Sequence, residues 1–219
     1  WNLKKDIRAP IKGLAVNPNN PDHVAFIVGQ GWGEKASVYL SVDRGSTWNN
    51  VTPQDVSSFN TIAFSKTNPV TLYAAAIVEE NRVPNFYLYT TENFGNSWSK
   101  SPALPRFEMK STPLGGRERD IKIEFIEPSK TNNKILFLGV SYGLLYTEDG
   151  GYSWDLLDNG FNQQDITSIA ISESNPNLIY LRAGNQTTEE CEYVDELREE
   201  EWEDYEAQDK LIRDTILSE

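Results

Sequence analysis

The chain has one cysteine, one histidine and too few cations to balance its acids. With Cys191 alone no intrachain disulfide can form, so cysteine usage leaves the redox compartment open. With His23 as the only imidazole, metal-spaced His/Cys clusters are excluded, and His23 itself, behind an Asn-Pro turn, reads as a turn residue rather than a base. No nucleophile elbow and no phosphate-binding glycine loop is present. Lys and Arg number 20 against 33 Asp and Glu, so the basic footprint of a nucleic-acid partner is missing. No apolar run reaches the length of about 20 residues that spans a bilayer, and no secretory signal is visible. The chain begins at Trp1, which reads as a processed or excised piece, so that missing signal says little about secretion.

The formal charge of −13 is unevenly spread. Residues 188–219 hold 14 acidic and 3 basic residues, a balance of −11, and the rest of the chain carries only −2. From Thr187 the chain reads "TTEECEYVDELREEEWEDYEAQDKLIRDTILSE", with no Gly and no Pro. Thr187 and Glu190 have capping-box spacing before an acidic first turn. Val194, Leu197, Trp202, Tyr205, Ile212 and Ile216 recur at about 3.6 residues, which predicts an amphipathic helix over 188–217. Its stripe would pack on the chain's own strands or take a partner with a basic groove, and its charge would repel an anionic membrane.

The body, 1–187, is repetitive. "SVDRGSTW" (41–48) returns as "TENFGNSW" (91–98) and "TEDGGYSW" (147–154). Between copies runs a second element, an apolar run, a polar turn rich in Asn and Pro, and another apolar run, as in "IKGLAVNPNNPDHVAFIVG" (11–29), "FNTIAFSKTNPVTLYAAA" (59–76), "IKIEFIEPSKTNNKILFLGV" (121–140) and "ITSIAISESNPNLIYLRAG" (166–184). Each is a hairpin signature. A third strand, the octapeptide and a fourth strand complete each period of about 50 residues, which is the arithmetic of a four-stranded propeller blade. Trp1, 47 residues before Trp48, reads as the last strand of a blade. Three whole blades follow, then the first two strands of another. The remaining blades would come from material outside these residues, or else the ring closes on itself with a strand from 191–197.

Within the octapeptide each position has a physical task. Ser41, Thr91 and Thr147 open it with a hydroxyl. Asp43, Asn93 and Asp149 place an acceptor beside backbone N–H groups of their own turn. Gly45, Gly95 and Gly151 supply a positive φ. Thr47, Ser97 and Ser153 add a second hydroxyl, and Trp48, Trp98 and Trp154 bury a large ring. Asn93 stands where the other copies have Asp, so the position calls for an acceptor rather than a charge, and a catalytic acid would not survive that exchange. The pattern Ser/Thr-x-Asp-x-Gly-x-Ser/Thr-Trp resembles the Asp-box, or bacterial neuraminidase, repeat found in sialidases, sortilin-type receptors, photosystem assembly factors and two-propeller xyloglucanases. The resemblance implies an all-β propeller with these corners at its rim, away from an axial site, and no cofactor.

One longer stretch, "LPRFEMKSTPLGGRERDIKIEFIEP" (104–128), resembles the first propeller of the xyloglucanases, with Gly115, Gly116, Arg117, Glu118 and Arg119 in the place of that family's glycine-rich loop and charged pairs. The resemblance implies that Arg117, Glu118 and Arg119 line a groove, and that the catalytic carboxylates of such an enzyme lie outside these residues. The leading expectation is a non-catalytic binding or scaffold module, extracellular or at a cell surface, that recognises protein or glycan through inter-blade loops, with neither nucleic acid nor membrane as partner. A fragment of a xyloglucanase-like glycoside hydrolase, and a receptor ectodomain or assembly factor of sortilin or photosystem-factor type, stand beside it.

Overall fold

The structure, a computed structural model, describes residues 10–29, 36–105, 123–141, 143–157, 166–172 and 178–183. Among them are fourteen β-strands, all within one compact unit, Trp1–Gly184. The strand expected at Trp1, the closing strand from 191–197 and the helix over 188–217 lie outside the described residues.

The strands form three four-stranded sheets and one hairpin, each an antiparallel meander of consecutive strands. The first sheet holds β1 (Ile11–Val16), β2 (Val24–Val28), β3 (Ser37–Ser41) and β4 (Asn49–Asn50). The second holds β5 (Ser58–Phe64), β6 (Leu72–Glu80), β7 (Val83–Thr91) and β8 (Ser99–Lys100). In the third are β9 (Ile123–Pro128), β10 (Leu136–Val140), β11 (Gly143–Thr147) and β12 (Asp155–Leu157), and the hairpin pairs β13 (Ile166–Ile171) with β14 (Ile179–Ala183). First strands lie against first strands, β1 on β5, β5 on β9 and β9 on β13, so the sheets converge there as propeller blades do.

Residue types follow from that stacking. The second strands β6 and β10 lie between two neighbouring sheets and carry apolar runs without alternation, as strands buried on both faces must. Ala74, Ala75 and Ala76 of β6, and Leu136 and Leu138 of β10, are fully buried. In β6 the odd and even residues serve different cores. Ala74 and Ala76 join Ala25, Ile27, Val38 and Leu40 of the first blade, while Tyr73 and Ala75 join Ile126, Leu138 and Leu145 of the third. Phe137 and Leu144 pack in turn on Ile166, with Ile169 and Ile171 beside them.

The first strands depart from simple alternation. In all four, the pairing register shifts by one residue near the strand start, which marks Lys12, Asn60, Glu124 and Thr167 as bulged. The bulge changes parity, so that the apolar residues at spacing i, i+3, i+5 (Phe59, Ile62 and Phe64 in β5) reach one face.

Leu138→Ala removes a side chain wedged between two blades and is expected to lower the unfolding free energy by about 2–5 kcal/mol. Val83→Ala, on an exposed turn flank, should change it by no more than about 0.5 kcal/mol. Urea denaturation of the two variants measures both.

Candidate functional site

In an antiparallel meander the β1–β2 and β3–β4 turns fall at one end of the sheet, and the β2–β3 turn and the exit to the next sheet at the other. The octapeptides are the β3–β4, β7–β8 and β11–β12 corners, so all three share the end that also carries the Asn/Pro hairpin turns. The two ends are chemically different.

At the corner end the polar atoms bond to the turn itself. Ser41 Oγ donates to Asp43 Oδ1 at 2.8 Å and accepts from the Gly45 N–H at 2.8 Å. Asp43 accepts from the Thr47 N–H (2.8 Å) and from the Thr47 hydroxyl (2.7 Å). The third copy repeats this with Thr147, Asp149, Gly151 and Ser153, the last donating its N–H at 2.9 Å and its hydroxyl at 2.6 Å. In the second copy Thr91 donates to Asn93 Oδ1 and accepts from Gly95, and Asn93 Oδ1 accepts the Ser97 N–H at 2.9 Å. Only one bond changes polarity, since Asn93 Nδ2 donates to Ser97 Oγ at 2.8 Å.

The glycines have the expected positive φ, 78° at Gly45, 79° at Gly95 and 96° at Gly151. The residue before each glycine is left-handed as well, with φ of 60° at Arg44, 56° at Phe94 and 80° at Gly150, a requirement that the octapeptide pattern leaves unspecified. Two successive left-handed residues, with Ser46 N–H on Asp43 O at 3.2 Å and Asn96 N–H on Asn93 O at 3.3 Å, give the twist that joins adjacent antiparallel strands. The fourth-position N–H then docks on the neighbouring hairpin turn, Arg44 to Asp22 O, Phe94 to Val70 O and Gly150 to Lys134 O. That bond explains why octapeptide and Asn/Pro turn recur together.

Trp48 and Trp154 donate Nε1–H to their own corner glycine carbonyls, Gly45 and Gly151, at 3.0 and 3.1 Å. Trp98 reaches instead across to Val51 O of the preceding blade at 2.7 Å. A Cβ on Gly95 would sit 2.5 Å from Val51 Cβ, so tryptophan and glycine together close that junction. His23 is held in its turn, with Nδ1 beside Asn17 Nδ2 at 3.3 Å and Nε2 beside Asn20 Nδ2 at 3.1 Å.

The opposite end carries the Pro53–Ser57 exit from the first blade, the tight Asn81–Arg82 turn and the start of the β8–β9 connection. Here a cluster that the sequence reading did not assemble joins the first blade's exit to the second blade. Tyr89 donates to Asp55 at 3.0 Å and Tyr87 to Glu80 at 2.9 Å. Lys100 Nζ lies 3.1 Å from Asp55 and 3.3 Å from Glu80, above the Tyr87 ring at 3.9 Å from its centroid. Burial and then the Asp55 carboxylate hold the Tyr89 hydroxyl well above the usual phenol range. The Tyr87 hydroxyl, then Lys100, hold Glu80 below the usual carboxylate range, as the anion. Partial burial opposes the charge on Lys100, and Asp55 with Glu80 more than offsets it. Tyr87 and Tyr89 at i, i+2 were legible as one strand face. Asp55, Glu80 and Lys100 lie too far apart in sequence for any local pattern to join them.

The bulged Lys12, Asn60, Glu124 and Thr167 lie toward this same end of the first strands. Asn60 Oδ1 is buried and accepts no hydrogen bond from the described residues. The recurring i, i+3, i+5 apolar spacing was the signal that could have found them. Arg117, Glu118 and Arg119 belong to the β8–β9 connection and lie outside the described residues. Among the described residues no group of three His, Cys, Asp or Glu side chains could hold a metal ion.

No family model matches the chain, and no curated protein matches it by sequence. Solved structures do match in shape. A GH74 xyloglucanase from Xanthomonas campestris superposes with a TM-score of 0.60 at 20% identity over 80% of this chain and 27% of its own. A GH74 enzyme from Niastella koreensis gives 0.56 at 18% identity over 79% of this chain and 26% of its own. YCF48 bound to a D1 peptide gives 0.51 at 18% identity over 83% of this chain and 55% of its own. This chain therefore spans about a quarter of the length of the two GH74 enzymes, and at these identities the likeness establishes the propeller fold alone.

Two outcomes test the corners. Gly95→Ala adds a clash with Val51 to a left-handed backbone and should destabilise by about 2–4 kcal/mol. At Gly150 (φ 80°), a Cβ meets nothing within 4 Å, and Gly150→Ala should cost only the backbone term, about 1–2 kcal/mol; the difference in urea denaturation isolates the packing. The second outcome concerns acid. The bonds from Thr47, first its N–H, bring Asp43 from 3.8 to about 2, and those from Ser153, first its hydroxyl, hold Asp149 well below the usual range. Groups depressed in the folded state stabilise it above their unfolded pKa and lose that contribution as pH falls through the folded one. The melting temperature should thus fall more steeply between about pH 4 and about pH 2 in the natural chain than in the Asp43→Asn/Asp149→Asn double variant, as read by circular dichroism.

Proposed function

We propose that this propeller is a non-catalytic binding or scaffold module, extracellular or at a cell surface, that recognises a protein or glycan through the loops opposite its corners. The observation that carries this reading is the Asp55–Tyr89–Lys100–Glu80–Tyr87 cluster. Its charged side chains are partly open to solvent, 53% at Asp55, 44% at Glu80 and 28% at Lys100, yet each is tied to two or more neighbours. Such groups present donors and acceptors at fixed positions, with little ordering cost on binding. Glu80, held as the anion among Tyr87, Asn85 and Lys100, is suited to accepting hydrogen bonds from peptide N–H or sugar hydroxyl groups.

The corners are Asp boxes of purely structural role in this reading. Asn93 makes the bonds of its aspartate counterparts with no charge, and the three corners point their polar atoms into their own turns. The YCF48 neighbour, which holds a D1 peptide, supports recognition of a peptide by a propeller of this architecture.

Glycan and peptide arrays probed with the whole chain, followed by titration of the best ligand, test the reading. Glu80→Gln and Lys100→Met should each weaken that ligand by about tenfold or more, and Asp149→Asn should leave its affinity unchanged. Weakening by Asp149→Asn in a folded chain, with the other two variants silent, would overturn the assignment.

A further inference from the structure

The hydroxyl and ammonium protons of the Asp55–Tyr89–Lys100–Glu80–Tyr87 cluster are committed within it. Tyr89 donates to Asp55 Oδ1 and Tyr87 to Glu80 Oε2. Lys100 Nζ has three N–H groups to place. It bonds to Asp55 Oδ2 and Glu80 Oε1, and its remaining side meets the Tyr87 ring. Asn85 Nδ2 adds one more bond to Glu80 Oε2. Acceptor capacity is left over, because a carboxylate has room for about four hydrogen bonds. Among the described residues Asp55 receives two and Glu80 three, and both reach solvent. Burial, then the facing carboxylates, keep the Tyr87 and Tyr89 hydroxyls protonated. Two carboxylates against one ammonium therefore leave one negative charge.

The pairing registers lift this surface past its neighbours. Ile11, Phe59 and Ile123 hold equivalent places before the bulge and pair with Val28, Ala76 and Val140. The β2–β3 and β10–β11 ladders end at those residues, on Val28 with Ser37 and Val140 with Gly143. The β6–β7 ladder runs four pairs further, from Ile77 with Phe86 to Glu80 with Val83. Glu80 and Asn85 stand on that extension, and Asp55 reaches it from the first blade's exit through Tyr89 and Lys100.

These facts sort partners by chemistry. An anionic group would meet two carboxylates whose nearest donors are already bonded. A sugar ring needs an apolar or aromatic face to lie on, but Tyr87 and Tyr89 are 7% and 3% exposed, and Lys100 caps the first. A guanidinium brings several N–H groups in a planar fork that matches carboxylates, and it gives up less hydration than an ammonium. We propose that the cluster recognises an exposed arginine of a protein partner, bound by Asp55 and Glu80, with Lys100 holding those two carboxylates in place. The inference rests on the cluster being the binding site and narrows its partner to a basic protein segment.

Amide NMR of the whole chain, titrated with a short peptide alternating glycine and arginine, tests this residue by residue. Site resolution matters because the acidic stretch 188–219 attracts the same peptide by charge alone. The amides of Asp55, Glu80, Asn85 and Lys100 should shift on titration, and the uncharged citrulline counterpart should bind there at least about tenfold more weakly. Asp55→Asn and Glu80→Gln should each weaken binding at the cluster by about tenfold or more, with the rest of the spectrum unchanged. Glu92→Gln, an exposed carboxylate at the corner end, should not. Shifts confined to 188–219, or equal binding of the citrulline peptide, would overturn the inference. A neutral oligosaccharide or an acidic peptide that binds in a Glu80-dependent way would overturn it too, yet leave the cluster as the binding site. Ligands indifferent to Glu80→Gln would remove the site itself.

Discussion

The second strands β6 and β10 are buried on both faces, which an antiparallel sheet achieves only with another sheet on each side. That need for two neighbours organises everything else in the array. It sets the apolar runs of the second strands and the alanines of β6, which let flanking sheets approach closely. It also makes each blade's stability a property shared with the next, so that cores lie between sheets rather than within them.

Division of labour between the two ends follows from the meander. Turns joining first to second and third to fourth strands gather at one end and bond to one another through the fourth-position N–H of each octapeptide. Their hydroxyl, carboxyl and amide groups are consumed in holding two successive left-handed residues. Exits between blades gather at the other end, where Asp55, Glu80, Tyr87, Tyr89 and Lys100 meet. Rigidity at the corners and chemistry at the exits are two consequences of one topology.

The corner residues also show how charge and geometry separate. Asp43 and Asp149 are held far below their ordinary pKa by donors of their own turns, yet Asn93 supports the same turn without a charge. A perturbed carboxylate is therefore no sign of catalysis here; the donors that lower it are those that shape the chain. Glu80 is perturbed differently, by a tyrosine and a lysine brought from elsewhere, in a place that solvent reaches.

Local pattern was enough to establish the strands, the meander and the corners, because each depends on residues within one period of about 50. Ser41 to Trp48 and their copies could be read one position at a time, since a turn's hydrogen bonds span only a few residues. Left-handed backbone at Arg44 and Phe94 was hidden, because nothing in an arginine or a phenylalanine announces it. The bulges at Lys12, Asn60, Glu124 and Thr167 were written in the i, i+3, i+5 spacing, though only pairing registers make that spacing meaningful. Tertiary structure alone decided the polar cluster, which unites residues 45 positions apart between Asp55 and Lys100, and the division of β6 between two cores. Burial depends on which sheet lies opposite, and no residue carries that information in its own neighbourhood.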